Sequence, residues 1–409
     1  MNLTTNKPLA GMRVLDLTRA LSGPFASMIL GDMGADIIKV EPAERGDMTR
    51  DWGPFVEGQS VYFLSTNRSK RSLAVAMRQP EGLSALRRIA GQCQVVIENF
   101  RPGIAAEMGL DYEKLRGDNP ALVYASISGY GSEGPARDWP SFDQIAQGQA
   151  GLMDLTGSTG PTRVGAPLGD MTAGMWAVIG ILAAFRRSEA SGQGERVETS
   201  LLASLVGMLG IQGQRYLSTG EVPTRSGNTH PVIAPYGTYE AQDGPMNIAP
   251  ATEKMWRSLC IELGAPQWAL DERYATNEKR VARRQEVDEL VSERMRLKTR
   301  AQWMERFIAT GIPAGPINRL DEVFADPQVQ HARMVRRVYH PTYGSVPQAV
   351  LPITFKSTQL HEDLSAPPVL GQDSVAILRD FGFSQEEIDL LLDHRTVIQA
   401  DAQKIAHPT

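Results

Sequence analysis

Asp170 stands between a turn of small residues, Gly165-Ala166-Pro167-Leu168-Gly169, and a run with almost no charge, Met171 to Phe185. Apolar residues cover every face of that run at helical spacing. This predicts a buried helix over 171–187, closed by Arg186 and Arg187 where cations suit a helix C-terminus. Asp170 then falls at the N-cap, a position Asp favours. Two roles are open to it. Asp170 is a cap and nothing more, or it is a nucleophile. For the second role, small residues let a ligand approach the backbone, the apolar helix excludes water, and free N–H groups supply oxyanion donors.

Few other residues compete for chemistry. Gly-Lys pairs, H-E-x-x-H and G-x-S-x-G are absent. Histidines 230, 331, 340, 361, 394 and 407 show no metal-ligand spacing, and Cys93 and Cys260 are too far apart in sequence to write a zinc site or a disulfide framework. Gly129-Tyr-Gly131-Ser-Glu-Gly134 matches a dinucleotide fingerprint after a strand, but Pro135 follows and no apolar helix begins, which argues against NAD or FAD. Arg68, Lys70 and Arg71 precede a strand, whereas Asn99, Phe100 and Arg101 end one, the side on which parallel sheets bind ligands. For both groups, ordinary loop charge is an equal alternative. Asp170 remains the strongest candidate by elimination.

The elements that must position these residues are legible in outline. Strands are expected at 12–17, 35–41, 71–77, 93–100 and 121–128, with helices after Gly23-Pro24 and after Pro80. Strand–helix alternation with continuous apolar strands implies an α/β fold with a parallel sheet covered on both faces. A second long helix is expected from about Ser200 to Leu217, then an irregular linker rich in Gly, Pro, Ser and Thr, then two short strands around Asp243-Gly244. Ser384 and Glu387 form a capping box for a terminal amphipathic helix. With 409 residues, two domains are expected. The net charge of −5 argues against nucleic-acid binding, and the basic cluster at 278–286 alternates with acids like a solvated helix face. No signal pattern and no apolar run approaching a membrane span are visible, so a soluble cytoplasmic protein without a membrane partner is the expectation.

Taken together, stretches 14–50, 67–75, 95–103, 126–135, 151–157 and 164–184 resemble the class III CoA transferases, the CaiB/BaiF family. "GNTHPVIAPYG", "YATNEKRVARR", "GIPAGPIN" and "PPVLGQD" continue the resemblance in the family's order over nearly the whole chain. The resemblance implies a Rossmann-like large domain and a smaller α+β domain in an interlocked homodimer. The large domain would take 1–205, completed by 330–409, with a linker at 206–235, the small domain at 236–325 and a return segment at 326–409. It makes Asp170 the nucleophile, acting through an acyl anhydride and an aspartyl-CoA thioester. Coenzyme A and acyl-CoA enter as substrates, with no tightly bound cofactor and no metal. Leu21, Ser22, Val75, Ala76, Met77, Arg78, Asn99, Phe100, Arg101, Phe142 and Asp143 correspond to family CoA contacts, and Trp52 to a Trp lining the acyl site.

Departures narrow the function. Pro42 replaces a family arginine that contacts CoA, and "GNTHPVIAPYG" replaces a glycine-rich active-site loop, which argues against oxalate and formate as substrates. In the racemase branch a His accompanies the Asp. Here Ser141-Phe142-Asp143 holds none, so acyl-CoA racemisation or isomerisation is the alternative and transfer the leading function. A non-catalytic CoA-binding protein is disfavoured by the intact Asp170 turn. "TRDWGPF", "VFADPQVQHARMV" and "HPTYGSV" look most like the succinyl-CoA:dicarboxylate, glutarate-type branch. A dicarboxylate's second charge needs a cation or N–H donors. Arg50 and His230 are candidates, against a salt bridge for Arg50 and a loop-ordering role for His230.

Overall fold

A computed structural model of the protein describes residues 7–340 and 342–401, so His407 and the first residues of the N-terminal stretch lie outside them. The chain divides into two compact units. One takes the described residues of Met1–Leu152, Val164–Ser218 and Arg333–Thr409, and the other Met153–Arg163 and Thr219–Ala332.

The first unit is built on a seven-stranded sheet. Its strands are β1 (Arg13–Asp16), β2 (Asp36–Pro42), β3 (Arg71–Val75), β4 (Val95–Glu98), β5 (Val123–Ser128), β6 (Glu195–Ser200) and a terminal strand, Val397–Ile398. From that terminal strand the order runs β3-β2-β1-β4-β5-β6. All pairs are parallel except the terminal strand, which lies antiparallel on β3. The chain fills one side outward from β1 and then reverses, so β1 and β4 flank a topological switch point. Sequence reasoning missed β6. Its "ERVETS" is half charged and alternates half-buried with exposed positions up to Thr199, the pattern of a sheet edge rather than of a buried parallel strand.

Alternate side chains of each strand enter two cores. On one face Val14, Ile37, Val95, Ile97 and Val123 meet α1 (Ser22–Asp32) and the helix Leu168–Ser191. On the other, Leu15, Ile38, Leu73 and Val96 meet α2 (Pro80–Ala90) and the returning segment at Ile377, Leu378 and Ile388. The second unit carries a three-stranded antiparallel sheet from Gly237–Ala241, Gly244–Ile248 and Ala314–Pro316, backed by helices around Trp256, Val291, Trp303 and Phe307. The excursion 153–163 belongs to it because Gly227 N–H donates to the Gly157 carbonyl at 3.1 Å and Arg225 pairs with Asp154.

Further helices of the first unit complete the site's scaffold: α3 (Asp143–Gln149), α4 (Leu168–Ser191), α5 (Leu201–Met208) and α6 (Gly210–Thr219). The long helix expected after Ser200 is therefore two helices, parted at Gly210, whose φ is +53°. In length and apolar content α4 is enough to cross a membrane, against the expectation from uninterrupted apolar runs. Ala173, Ala177, Val178, Ile181 and Ala184 close one of its faces into the core, while Met175, Trp176 and Ile179 stand exposed. The all-round burial expected of this helix is absent in the single chain. Gly174 lets α4 approach α1 closely, since a Cβ there would come within 2.7 Å of the Ser22 carbonyl oxygen.

A chain of buried ion pairs underlies the ends of β1–β3. Lys70 Nζ lies 3.2 Å from Asp16, Lys39 Nζ 2.9 Å from Asp47, and Arg50 Nε 2.7 Å from Glu41. Arg68 likewise pairs with buried Asp32 at 2.7 Å, and Arg71 with Asp36 at 2.6 Å, so the 67–72 cations are structural partners rather than a ligand patch. Burial alone would raise the Asp47 carboxyl, but the Lys39 charge and the Thr49 N–H hold it down to about 2. That stabilisation is fully present above the ordinary carboxylate range and is lost as pH falls toward 2. Asp47→Asn leaves Lys39 without its nearest counter-charge, and a loss of about 3 kcal/mol in a urea unfolding titration is expected.

Candidate functional site

A cavity of about 290 Å³ opens at the carboxyl ends of β1, β4 and β5, within the first unit. Arg19, Ala20 and Ser22 line it from the segment after β1, Asn99, Phe100 and Arg101 from the segment after β4, and Ile127 to Gly129 from the end of β5. Phe142 and Asp170 complete the wall. The switch point thus gathers Ser22, Asn99, Phe100, Arg101, Phe142 and Asp170 from four separate segments between positions 22 and 170. α1 starts at this cavity with no side-chain cap; Pro24 has no N–H and Phe25 N–H donates to the Leu21 carbonyl, so Ser22 and Gly23 are its first-turn donors.

Asp170 lies one turn further into its helix than the sequence suggests. The helix begins at Leu168 with Pro167 as N-cap, so Asp170 is the third helical residue and caps nothing. Capping comes from another helix: Gly169 N–H donates to Asp143 Oδ1 at 2.7 Å. Leu168 N–H donates to the Ala166 carbonyl. Two of the N–H groups expected as oxyanion donors are therefore taken up, because the short turn folds back on itself and α3 reaches across it. Asp170 is half-buried. Desolvation, then the Asp143 charge, push its carboxyl up to about 7, with a hydrogen bond from the Ser22 hydroxyl acting the other way.

Several expected ligand contacts have other work. Asn99 Oδ1 accepts the Arg19 N–H at 2.9 Å and its Nδ2 donates to the Arg19 carbonyl at 2.8 Å, so the amide clasps the loop after β1. Ala20 in that loop has φ +67°, and its N–H is held by Asp47 Oδ1 at 3.2 Å. Asp143, expected at CoA, uses both oxygens inside the protein, the second accepting Gln147 Nε2–H at 2.7 Å. Leu21 is the N-cap residue of α1, outside the cavity wall. Val75 and Ala76 are buried at the end of β3, with Ala76 N–H on the Thr396 carbonyl, so only Met77 and exposed Arg78 offer surface there.

The substrate candidates are likewise placed elsewhere. Arg50 turns its Nε and Nη2 edge to Glu41 and stacks over Phe63 with 3.6 Å from Cζ to ring centroid. This is the salt bridge rather than an open cation, because Glu41 is buried and needs a counter-charge. Trp52 packs edge-on against Tyr62 outside the cavity. His230 belongs to the second unit, where it stacks on Tyr236 and its Nδ1 accepts the Val232 N–H, ordering its own loop.

Sequence reasoning missed Arg19 and Arg137, which line the cavity with Arg101. The strand-end rule that flagged Asn99 applies equally to Arg19 at the end of β1. Arg137 carried no local signal, since only the folded loop 129–142 brings it to the wall. Three arginines in one cavity, of which Arg137 also pairs with Asp138 at 3.3 Å, suit a polyanionic ligand. Among the described residues no cluster of His, Cys, Asp and Glu could hold a metal ion.

The chain belongs to CoA-transferase family III, whose profile matches residues 9–374, and it is an enzyme that transfers CoA. It is 40% identical over 388 residues to succinate–glutarate CoA-transferase of Agrobacterium fabrum, covering 91% of this chain and 95% of that one. With the succinyl-CoA:glutarate CoA-transferase of Homo sapiens it shares 37% identity over 377 residues, covering 91% and 86%. The crystal structure of a CaiB/BaiF family protein from Brucella suis superposes with a TM-score of 0.83 at 39% identity, covering 92% of this chain and all of that one. For a CoA substrate, Arg137→Ala is expected to raise KM for acyl-CoA about tenfold, as loss of one charge-assisted contact would, with a smaller change in kcat. Steady-state kinetics at two salt concentrations check this, since the effect should shrink as salt rises.

Proposed function

We propose that the protein moves CoA from succinyl-CoA to a small dicarboxylate such as glutarate, with Asp170 as nucleophile. The observation that carries this reading is the half-buried Asp170 carboxyl in a cavity that Arg19, Arg101 and Arg137 also line. The names of the relatives supply the substrates. An Asp170 oxygen attacks the thioester carbon, the C–S bond breaks, and a mixed anhydride and CoA thiolate result. The thiolate then attacks the Asp170 carboxyl carbon, releasing succinate and leaving an aspartyl-CoA thioester. The acceptor carboxylate displaces the thiolate to give a second anhydride, and the thiolate's attack on the acceptor's acyl carbon frees Asp170. Three cations near the thiolate and the developing oxyanions favour each step.

The acceptor's far carboxylate needs a partner. Since Arg50 is paired with Glu41, the cavity arginines take that role in this reading. We further propose a homodimer, supported by the exposed apolar face of α4 at Met175, Trp176 and Ile179 and of α3 at Ile145. Light scattering should return about twice the chain mass of 44.7 kDa at all dilutions; a folded active monomer would exclude it.

The transfer reading is tested by kcat/KM for glutarate against valerate with succinyl-CoA as donor. Glutarate should win by about a hundredfold or more, the worth of one paired buried charge, and a ratio near one removes the dicarboxylate. Asp170→Ala should abolish transfer. The attacking carboxylate must be ionised, so activity should fall as pH drops through about 7 and level off above it.

A further inference from the structure

Asp143 belongs to α3, yet both its oxygens serve the segment that carries Asp170. Oδ1 accepts the Gly169 N–H at 2.7 Å, and Oδ2 accepts Gln147 Nε2–H at 2.7 Å. Gln147 in turn accepts the Val164 N–H at 2.9 Å through Oε1, holding the start of the same turn. The grip is close. A Cβ built on Gly169 would lie 3.1 Å from Asp143 Oδ1 and 3.1 Å from Leu205 Cδ1. Asp143 is about 9% exposed and stands outside the cavity wall.

We propose that Asp143 positions the Asp170 carboxylate, by clamping the first turn that carries it and by setting a second negative charge against it. This rests on Asp170 being the nucleophile. Two carboxylates in one half-buried site do not both ionise freely. Asp143 accepts two N–H hydrogen bonds, and the Asp170 carboxyl is raised by burial and then by the Asp143 charge. Ser22 from α1 and Asp143 from α3 act directly on Asp170, while Arg19, Arg101 and Arg137, the last paired with Asp138, line the same cavity. α5 presents Leu201 and Leu205, which do not titrate. A carboxylate made more basic in this way attacks the thioester carbon more readily once it is ionised.

Asp143→Asn keeps an oxygen for the Gly169 N–H and removes the charge, whereas Asp143→Ala removes both. In the full-length protein, the acid limb of kcat/KM against pH is followed for each variant. The carboxyl ¹³C shift of Asp170 is followed in parallel, its resonance identified by its loss in Asp170→Asn. Both variants should lower the ¹³C midpoint by about one pH unit, the scale of a neighbouring like charge, and the acid limb should follow. Plateau kcat should fall a further tenfold or more in Asp143→Ala relative to Asp143→Asn, as misplacement of a reacting group does. A midpoint unmoved in Asp143→Asn overturns the charge role. Equal plateaus in the two folded variants overturn the clamp. If Asp143→Ala fails to fold by circular dichroism, Gln147→Met replaces it, loosening the turn at Val164 while the Asp143 charge stays, and a plateau kcat matching wild type overturns the clamp. Turnover surviving in Asp170→Ala would instead sink the nucleophile reading, and the ¹³C midpoint would still report on Asp143.

Discussion

The reversal of strand order between β1 and β4 is the constraint on which the site depends. At that point the segments leaving β1 and β4 turn to opposite sides of the sheet, and nothing fills the crevice between them. Every wall of the cavity follows from this. The loop after β1 brings Arg19, Ala20 and the open end of α1, the loop after β4 brings Asn99 to Arg101, and α4 is packed on α1 so that its first turn faces the gap. Close packing of α1 on α4 needs Gly174, so a residue with no side chain determines how near Ser22 and Asp170 stand.

Beneath the crevice the protein keeps charge in its interior. Asp16, Lys39, Glu41, Asp47 and Lys70 are closed from solvent, and each is matched by an opposite charge and further hydrogen bonds. Such pairs contribute little net stability against apolar packing, but a single broken partner is costly. What they contribute here is geometry. Asp47 holds Ala20 in a left-handed conformation, and Asn99 clasps Arg19 from the other side of the switch point. The loop after β1, which lines the cavity, is thereby held at both Arg19 and Ala20.

Electrostatics within the cavity run in two directions. The guanidinium groups favour anions, while Asp170 is made reluctant to ionise by desolvation and by Asp143 behind it. A carboxylate so placed is more basic than one in water, yet it sits where an incoming polyanion meets countercharge. The first feature comes from the turn Val164 to Asp170, whose backbone is held by Asp143 and Gln147, and the second from the loops after β1, β4 and β5.

By itself the sequence determined the α/β alternation, the parallel core strands, the family and Asp170 as the group to watch. Those signals are local: continuous β-branched runs, Pro and Gly at element ends, and one acid between a small turn and an apolar helix. It also placed the capping box at Ser384 and Glu387, which forms as expected because capping involves only neighbours in sequence. Tertiary structure alone decided which polar groups line the cavity. Asn99, Asp143 and Arg50 carry the residue types of a binding site, but the fold turns each toward a backbone or a buried partner more than eight residues away in sequence. Arg19 and Arg137 came to the wall only because β1 and β5 end at the same crevice. The helix start moved from Asp170 to Leu168 for the same reason: its cap is a side chain from another helix, and no window along the chain contains both.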